Sequence, residues 1–366
     1  MTDGIKDTIG CDLGDKFSDL FILTANGETQ VPERLKTTQA GVKKFFSQRK
    51  PAHVVLEAST HSRWVSSIVK KLGHEVTVAD TRRLRLISHS DSKSDRTDAE
   101  LLARLGRADP DLKLLRPIRH RGDQAQADLA VAKSRDMLVG ARTKLVNQAR
   151  GLVKSFGERL PASHTRSFHR KAASAIPELL KPALQPLFKA IEMLNEQISE
   201  LDKTVEQVAK RYADVEVVRQ IDGVGVLTAL VFLLTLDDKT RFDKSRKVGA
   251  FAGLRPRRNQ SGDTDKQLPI TKAGDSFLRK LLVNCANHIM GPFGKDSDLR
   301  RWGLRLAERG GKNARQRAKI AVARKLAVLM HRLWVTGEEY QAVGYRANVK
   351  VSWPEERATR RVMRPM

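Results

Sequence analysis

Four carboxylates in the first third of the chain have residue types and spacing suited to chemistry at a phosphate. Asp12 closes the apolar run Thr8-Ile9-Gly10-Cys11, and Glu57 closes Val54-Val55-Leu56. Asp95 and Asp98 lie three apart, on one face of any helix that begins there. Hard cations such as Mg²⁺ prefer carboxylate oxygens and retain waters. Two such ions about 4 Å apart can compensate charge on the entering and leaving oxygens of a phosphodiester displacement. Each acid also has a plain role available: Asp12 as a strand-end cap, Glu57 as a solvated strand end, Asp95 as an N-cap, Asp98 as a first-turn acid. Four together in one module of a basic chain point to a divalent-metal site. The nine histidines are scattered and Cys11 and Cys285 lie far apart in apolar segments, which argues against zinc spacing and for reduced, buried thiols.

The segments that must position these acids alternate between two periodicities. Residues 7–12, 17–24 and 28–32 pattern as strands, with Asn26-Gly27 as a hairpin turn. Helical spacing over 39–49 and 62–72 brackets a buried strand at 53–56, and another strand follows at 75–78, ended by Asp80. Ala99, Leu101, Leu102, Leu105 and Ala108 mark a helix from Asp95, stopped at Asp109-Pro110. The expectation is an α/β module over residues 1–110 of ribonuclease-H-like type, with carboxylates at the C-terminal ends of buried strands, where such sheets bind ligands.

Residues 111–212 differ in kind. From 112 to 177 there are 14 Lys or Arg against 4 acids. Residues 124–156 have helical composition, with Leu138, Leu145 and Leu152 seven apart. After Pro177, Leu184, Leu187, Ile191, Leu194, Ile198, Leu201, Val205 and Val208 continue a heptad pattern. That is a coiled-coil signal, open between a helical hairpin within the chain and a dimer seam.

A third module is expected over 213–340, mostly helical, with a basic tail over 341–366. Ile221-Asp222-Gly223-Val224-Gly225 precedes an apolar helix over 227–236. Gly223 and Gly225 fit a helix-hairpin-helix that offers backbone N–H groups to a phosphate, and equally a packing corner. Further helices are expected at 244–253, 275–289 and 312–334, with 254–269 irregular. In that stretch, Ser261 follows Arg255, Arg257 and Arg258, whose forks suit phosphate. Ser261-Gly262 is ordinary turn chemistry, so on this segment alone a phosphate-contacting turn is favoured over a nucleophile.

The whole chain carries 68 Lys or Arg against 42 Asp or Glu, net +26, which implies a polyanionic partner, nucleic acid first. Between residues 299 and 333, Arg315, Arg317 and Lys319 belong to a run whose only acid is Glu308. No window approaches the ~20 apolar residues of a spanning helix, and no signal or transit peptide is readable, so a bacterial cytoplasmic location without membrane contact is expected.

Gly10-Cys11-Asp12, Glu57-Ala58, Ser94-Asp95-Arg96-Thr97-Asp98-Ala99, Ile221 to Gly225, Gly253-Leu254-Arg255-Pro256, Gln260-Ser261-Gly262 and Ile270-Thr271-Lys272-Ala273-Gly274 with Arg279 occur in this order. The set resembles the DEDD transposases of bacterial insertion sequences, the insertion-sequence one-ten group of bridge-RNA-guided recombinases, from about residue 6 to about 340. The resemblance implies a RuvC-like domain, a coiled-coil connector and a C-terminal transposase domain with a nucleophilic serine. It implies that Asp12, Glu57, Asp95 and Asp98 hold Mg²⁺, or Mn²⁺, and that Ser261 attacks a DNA phosphate to form a phosphoserine link. It also implies a homo-oligomer, dimer or tetramer, in which one protomer's acids meet another's serine. The implied partners are double-stranded donor and target DNA and a structured noncoding guide RNA. Candidate nucleic-acid contacts are Arg255, Arg257, Arg258, Gly223, Gly225, Lys272, Arg279, Arg315, Arg317 and Lys319. Ser94 stands where the family often has Lys, the Thr60-His61-Ser62 turn departs from a Gly-rich one, and the tail past Tyr345 lies outside the resemblance. Competing functions are a hydrolytic RuvC-like junction nuclease, in which the tetrad activates water, a DNA invertase of the same family, and a non-catalytic nucleic-acid binder.

Overall fold

The computed structural model describes residues 6–30, 33–80, 95–109, 114–115, 117–261 and 264–344. The chain divides into two compact units, Met1–His120 and Arg121–Met366.

The first unit is a mixed five-stranded sheet in the order β3-β2-β1-β4-β5, with helices on both faces. Its strands are β1 (Thr8–Asp12), β2 (Phe17–Leu23), β3 (Glu33–Lys36), β4 (His53–Glu57) and β5 (Glu75–Ala79). β2 runs antiparallel to β1 and β3, while β1, β4 and β5 are parallel. Alternation places Val54 and Leu56 on the face covered by α1 (Gln39–Ser47) and α2 (Ser62–Lys71), and Val55 on the face covered by α3 (Asp95–Ala108). The third strand begins later than the pattern at 28–32 suggests. Thr29 makes only an isolated bridge to Leu23, and the pairing with β2 is carried by Glu33 to Lys36. The reason is visible in β2, whose Phe17 to Leu20 end is the part that receives β3.

One backbone contact sets the depth of α3. A Cβ on Gly10 would lie 2.0 Å from the Ala99 carbonyl oxygen and 2.5 Å from the Ala103 nitrogen, so α3 rests on the bare backbone of β1. Arg107 fastens the other end of the helix: Nε donates to Thr8 Oγ1 at 2.9 Å and Nη2 to the carbonyls of Leu23 and Thr24 at 3.0 and 3.1 Å.

The second unit is largely helical. α4 (Asp123–Ser155) and α6 (Lys181–Ala209) pack antiparallel within the chain, with Arg135 bonded to Asp202 at 2.8 Å and Arg142 to Asn195 at 2.7 Å. α5 (Phe168–Ala172) lies in the turn between them, and Phe168, Leu184, Phe188 and Ile191 bury a small core there with Val146, Ala149 and Val153. Thus Leu184, Ile191, Ile198 and Val205 of the heptad seam are buried inside one chain, while Leu138, Leu145, Leu152, Leu187, Leu194 and Leu201 are half-buried. At the base, buried Asp128 accepts from Arg211 Nη1 at 2.8 Å, Tyr212 Oη at 2.7 Å and Gln124 Nε2 at 3.0 Å. Those three donors compensate a carboxylate that would be costly alone.

The remaining helices are α7 (Asp214–Arg219), α8 (Val226–Leu236), α9 (Arg246–Phe251), α10 (Ser276–Ile289), α11 (Asp298–Glu308) and α12 (Ala314–Thr336). Every residue of α8 from Thr228 to Leu236 is buried, as expected of a helix that is apolar on all sides. α10 and α12 pack around it, and Asp275 and Ser297 cap α10 and α11 by accepting from Leu278 and Arg300 N–H groups. Helix α9 is shorter than the 244–253 expected, and α11 falls in a stretch where charge hid its period. Residues 254–269 are not irregular: β6 (Pro256–Ser261) and β7 (Thr264–Ile270) form a two-stranded hairpin. Residues 256–261 are mostly exposed, so no apolar alternation announced them. Both cysteines are free and buried. Among the described residues no helix is long and apolar enough to cross a membrane. The basic-tail residues 345–366 lie outside the described residues.

The Gly10 contact is testable by calorimetry. Gly10→Ala should cost about 1–3 kcal/mol, because neither backbone can yield without lifting α3. Gly140→Ala, in α4 with nothing within 4 Å of the added Cβ, should instead stabilise by about 0.5–1 kcal/mol. Equal melting temperatures for the two variants would contradict the close-contact account.

Candidate functional site

In the first unit, strand register brings the acids together. Cys11 is paired with Leu56 across the parallel β1–β4 ladder, so Asp12 and Glu57 leave neighbouring strands at the same C-terminal edge. The contact of Gly10 with Ala99 carries the first turn of α3, with exposed Asp95 and buried Asp98, to the same edge. The electrostatics record the gathering. The Asp12 carboxyl is pushed up to about 7, first by burial and then by the charges of Glu57, Asp95, Asp98 and Asp19. Asp19 was not among the sequence candidates. It lies directly across the antiparallel ladder from Asp12, a relation that only the register reveals, and it is partnered at 3.7 Å by Arg34. Burial, with Asp12 and Asp19 beside it, also pushes the Cys11 thiol up, which keeps it neutral in the sheet.

Among the described residues no three of these side chains form a metal-ligating cluster. The donors are nonetheless of the right kind for a divalent cation. They are all carboxylate oxygens, and their mutual repulsion adds to burial in raising Asp12. A cation there would be held by Asp12, Glu57, Asp95 and Asp98, and would relieve that repulsion. The turn after Glu57 is braced by Ser62, whose hydroxyl donates to the Ser59 carbonyl at 2.8 Å and accepts the Ser59 N–H at 3.2 Å.

In the second unit, Ser261 is exposed at the end of β6, paired with Thr264 across the hairpin tip. Arg258 makes a fork to Asp265, Nε to Oδ1 at 2.7 Å and Nη2 to Oδ2 at 2.6 Å. A cleft of about 470 Å³ at the hairpin is lined by Arg255, Pro256, Arg257, Arg258, Asp265 and Arg324. The structure therefore unites the three expected arginines and adds Arg324, which comes from α12 and stands in the sequence only as one cation of the basic run 299–333. Arg279 does different work from its neighbours. Its Nη1 donates to the carbonyls of Ala252 at 3.2 Å and Ala273 at 3.0 Å, which ties both ends of the hairpin to α10. Lys272 is exposed at a positive φ of 55°.

Gly223 and Gly225 sit in the turn between α7 and α8. Gly223 has φ of 87°, and its α-carbon faces Ile289 and His288 so closely that a Cβ would meet them at 3.0 and 3.1 Å. Gly225 is the exposed N-cap of α8. Gly223 thus serves packing, while Gly225 leaves a helix N-terminus open to solvent. Arg315 and Arg317 are exposed on the first turn of α12, and Lys319 is half-buried just beyond. The tetrad belongs to the first unit, and the hairpin, the glycine turn and α12 to the second.

The raised Asp12 carboxyl has a definite pH consequence. Its folded value of about 7 lies above the ordinary 3.8, so its contribution to stability is complete below pH 3.8 and lost as pH rises through about 7. Without divalent cation, the melting temperature of Asp12→Asn should gain on that of the unaltered protein between about pH 4 and pH 8. Added cation at about pH 8 should raise the unaltered protein more than the variant. A difference constant across that range would contradict the crowding.

Residues 9–157 match the family model of DEDD transposases of the IS110 type, and residues 215–298 match that of the transposase IS116/IS110/IS902 family. The chain is 31% identical over 258 residues to the transposase for insertion sequence element IS1111A of Coxiella burnetii, covering 68% of this chain and 69% of that one. It is 29% identical over 288 residues to the transposase for insertion sequence element IS1328 of Yersinia enterocolitica, covering 77% and 83%. It is 24% identical over 285 residues to the pilin gene-inverting protein of Moraxella bovis, covering 76% and 79%. The first model spans the mixed sheet with Asp12, Glu57, Asp95 and Asp98, and implies a ribonuclease-H-like fold there, with which the order β3-β2-β1-β4-β5 agrees. With two family models matched in chain order and this level of identity, the chain belongs to the IS110 family of DEDD transposases.

Proposed function

We propose that this protein is a DNA recombinase that cleaves and rejoins strands through a phosphoserine intermediate, with Mg²⁺ held by Asp12, Glu57, Asp95 and Asp98. The observation that carries the reading is the convergence of four carboxylates on Asp12, in a chain whose other unit exposes a serine on an arginine-lined hairpin. Bound divalent metal supplies charge compensation for the oxygens around phosphorus. Ser261 Oγ forms a bond to phosphorus as the bond to one deoxyribose oxygen breaks; a carboxylate of the tetrad takes the serine hydroxyl proton, and the departing deoxyribose oxygen takes up a proton and leaves as a hydroxyl. A DNA hydroxyl then attacks the phosphoserine, forming the new phosphodiester and restoring the Ser261 hydroxyl. Ester exchange conserves the bond energy, so no external energy source is required. Arg255, Arg257 and Arg258 orient phosphates, while Gly225, Lys272, Arg315, Arg317 and Lys319 contact backbone.

Under this reading the chain works as three functional parts, residues 1–110, 111–212 and 213–340, with a basic tail beyond. The α7–α8 corner acts as a helix-hairpin-helix, and the α4–α6 hairpin as a coiled-coil connector. That connector joins the chain to a second copy, in a dimer or tetramer where acids and serine come from different protomers. A structured noncoding guide RNA supplies sequence choice by pairing with donor and target duplexes. The net +26 suits both nucleic acids. Inversion between two sites of one DNA is the variant of the same chemistry suggested by the pilin gene-inverting relative. In a hydrolytic junction nuclease, by contrast, water would be the nucleophile and Ser261 a phosphate contact only.

The discriminating product is a covalent one. Protein incubated with Mg²⁺, guide RNA and DNA carrying the element's junction, then denatured, should migrate as a protein–DNA adduct that Ser261→Ala abolishes. DNA cutting that persists undiminished in Ser261→Ala, without an adduct, would establish the hydrolytic alternative instead.

A further inference from the structure

The second unit contains an arginine, one cation of the basic run 299–333, that is positioned by a missing side chain. Arg324 lies in the middle of α12, and its stem crosses α9 at Gly249. A Cβ on Gly249 would stand 2.6 Å from Arg324 Cγ and 3.4 Å from Cδ. Gly249 is buried in a short helix that has no other evident need for glycine, so it acts as a notch that admits the stem. Beyond the notch the side chain is exposed and contributes to the cleft at the β6–β7 hairpin, with Arg255, Arg257, Arg258 and Asp265.

The charges in this cleft are unbalanced. Asp265 is its one lining carboxylate, and both of its oxygens are taken by Arg258. Among the described residues, the side chains of Arg255, Arg257 and Arg324 make no hydrogen bond or ion pair, although all three are exposed on the wall of one cavity. Three guanidinium groups held together repel one another, and holding them there without an anion is unfavourable. An arginine on open surface would also lose rotamer entropy on being fixed. Packing of the Arg324 stem in the Gly249 notch removes part of that cost before any ligand arrives. The arrangement is suited to a planar-fork acceptor that carries negative charge and is small enough for about 470 Å³.

We propose that Arg324, set by Gly249, completes with Arg255 and Arg257 a clamp for one backbone phosphodiester of bound nucleic acid. Arg258, forked to Asp265, lines the same cleft beside that clamp. The inference rests on the nucleic-acid reading of the hairpin, but concerns binding and not the covalent step. Arg324 is a phosphate-positioning residue whose contribution is a fixed fork and not diffuse charge.

The test is equilibrium binding by fluorescence anisotropy, with every protein in the Ser261→Ala background so that no covalent product forms. A double-stranded DNA and an RNA hairpin of equal length are the two probes, each titrated across a series of salt concentrations. Arg324→Gln should weaken binding by about tenfold at low salt, and should lower the slope of log K against log salt by about 1. Gly249→Ala, which leaves every charge in place, should reproduce the weakening by displacing the stem, with the melting temperature measured alongside. Arg324→Lys, which keeps the charge and loses the fork, should recover the slope but not the full affinity. Arg305→Gln is the control, an exposed arginine on α11 outside the cleft. A loss seen with the DNA probe assigns the phosphate to DNA, and a loss confined to the RNA probe assigns it to RNA. Equal effects of Arg324→Gln and Arg305→Gln on both probes, or a Gly249→Ala variant that is folded and binds normally, would overturn the clamp. That result would leave a Ser261-dependent adduct standing, and absence of the adduct would leave the clamp standing.

Discussion

The close seat of a helix on a bare strand governs the first unit. At Gly10 the backbone of β1 meets the backbone of α3 with no side chain between, and this brings Asp98 to the end of the strand that finishes in Asp12. The parallel pairing of β1 with β4 then places Glu57 beside them. Arg107, bonded to Thr8 and to the carbonyls of β2, keeps the far end of α3 from rolling. If α3 were raised by one methyl group, the acids would separate and Asp12 would have less reason to hold its proton near neutrality. Fold and candidate chemistry therefore share one constraint.

Crowded carboxylates are unfavourable unless something compensates them, and a fold that assembles them despite repulsion invites a cation. The second unit shows the opposite imbalance. Its hairpin collects guanidinium groups around a single carboxylate, and a glycine in α9 makes room for one of them. Each imbalance by itself suits one party to phosphate chemistry, a cation at the acidic edge and a phosphate at the basic cleft. Membership of the IS110 transposase family implies DNA as the substrate.

The strands and helices that hold the tetrad were legible because they are amphipathic in plain periods: Val54-Val55-Leu56 is buried on both faces, and α3 repeats apolar residues every three or four. The acids stood out because each ends such an element. Asp19 was not legible, since only the antiparallel register puts it opposite Asp12. The heptads over 184–208 announced a long helix but not its partner, and the answer within the chain, α4, depends on buried Val146, Ala149 and Val153 more than on the leucines at 138, 145 and 152. The β6–β7 hairpin escaped because a solvated two-stranded ribbon has no inner face to impose alternation. Arg324 was anonymous within a basic helix, and its meaning comes from Gly249, seventy-five positions away in sequence.

The central claim, that Asp12, Glu57, Asp95 and Asp98 together hold a divalent cation, is open to direct measurement. Manganese binding to the full chain, followed by the electron paramagnetic resonance signal of free Mn²⁺, counts ions without requiring catalysis. The account predicts saturable binding that Glu57→Gln and Asp98→Asn each weaken severely, while Asp15→Asn, outside the tetrad on the turn after β1, leaves it intact. Saturable Mn²⁺ binding that is indifferent to Glu57→Gln and Asp98→Asn would contradict it.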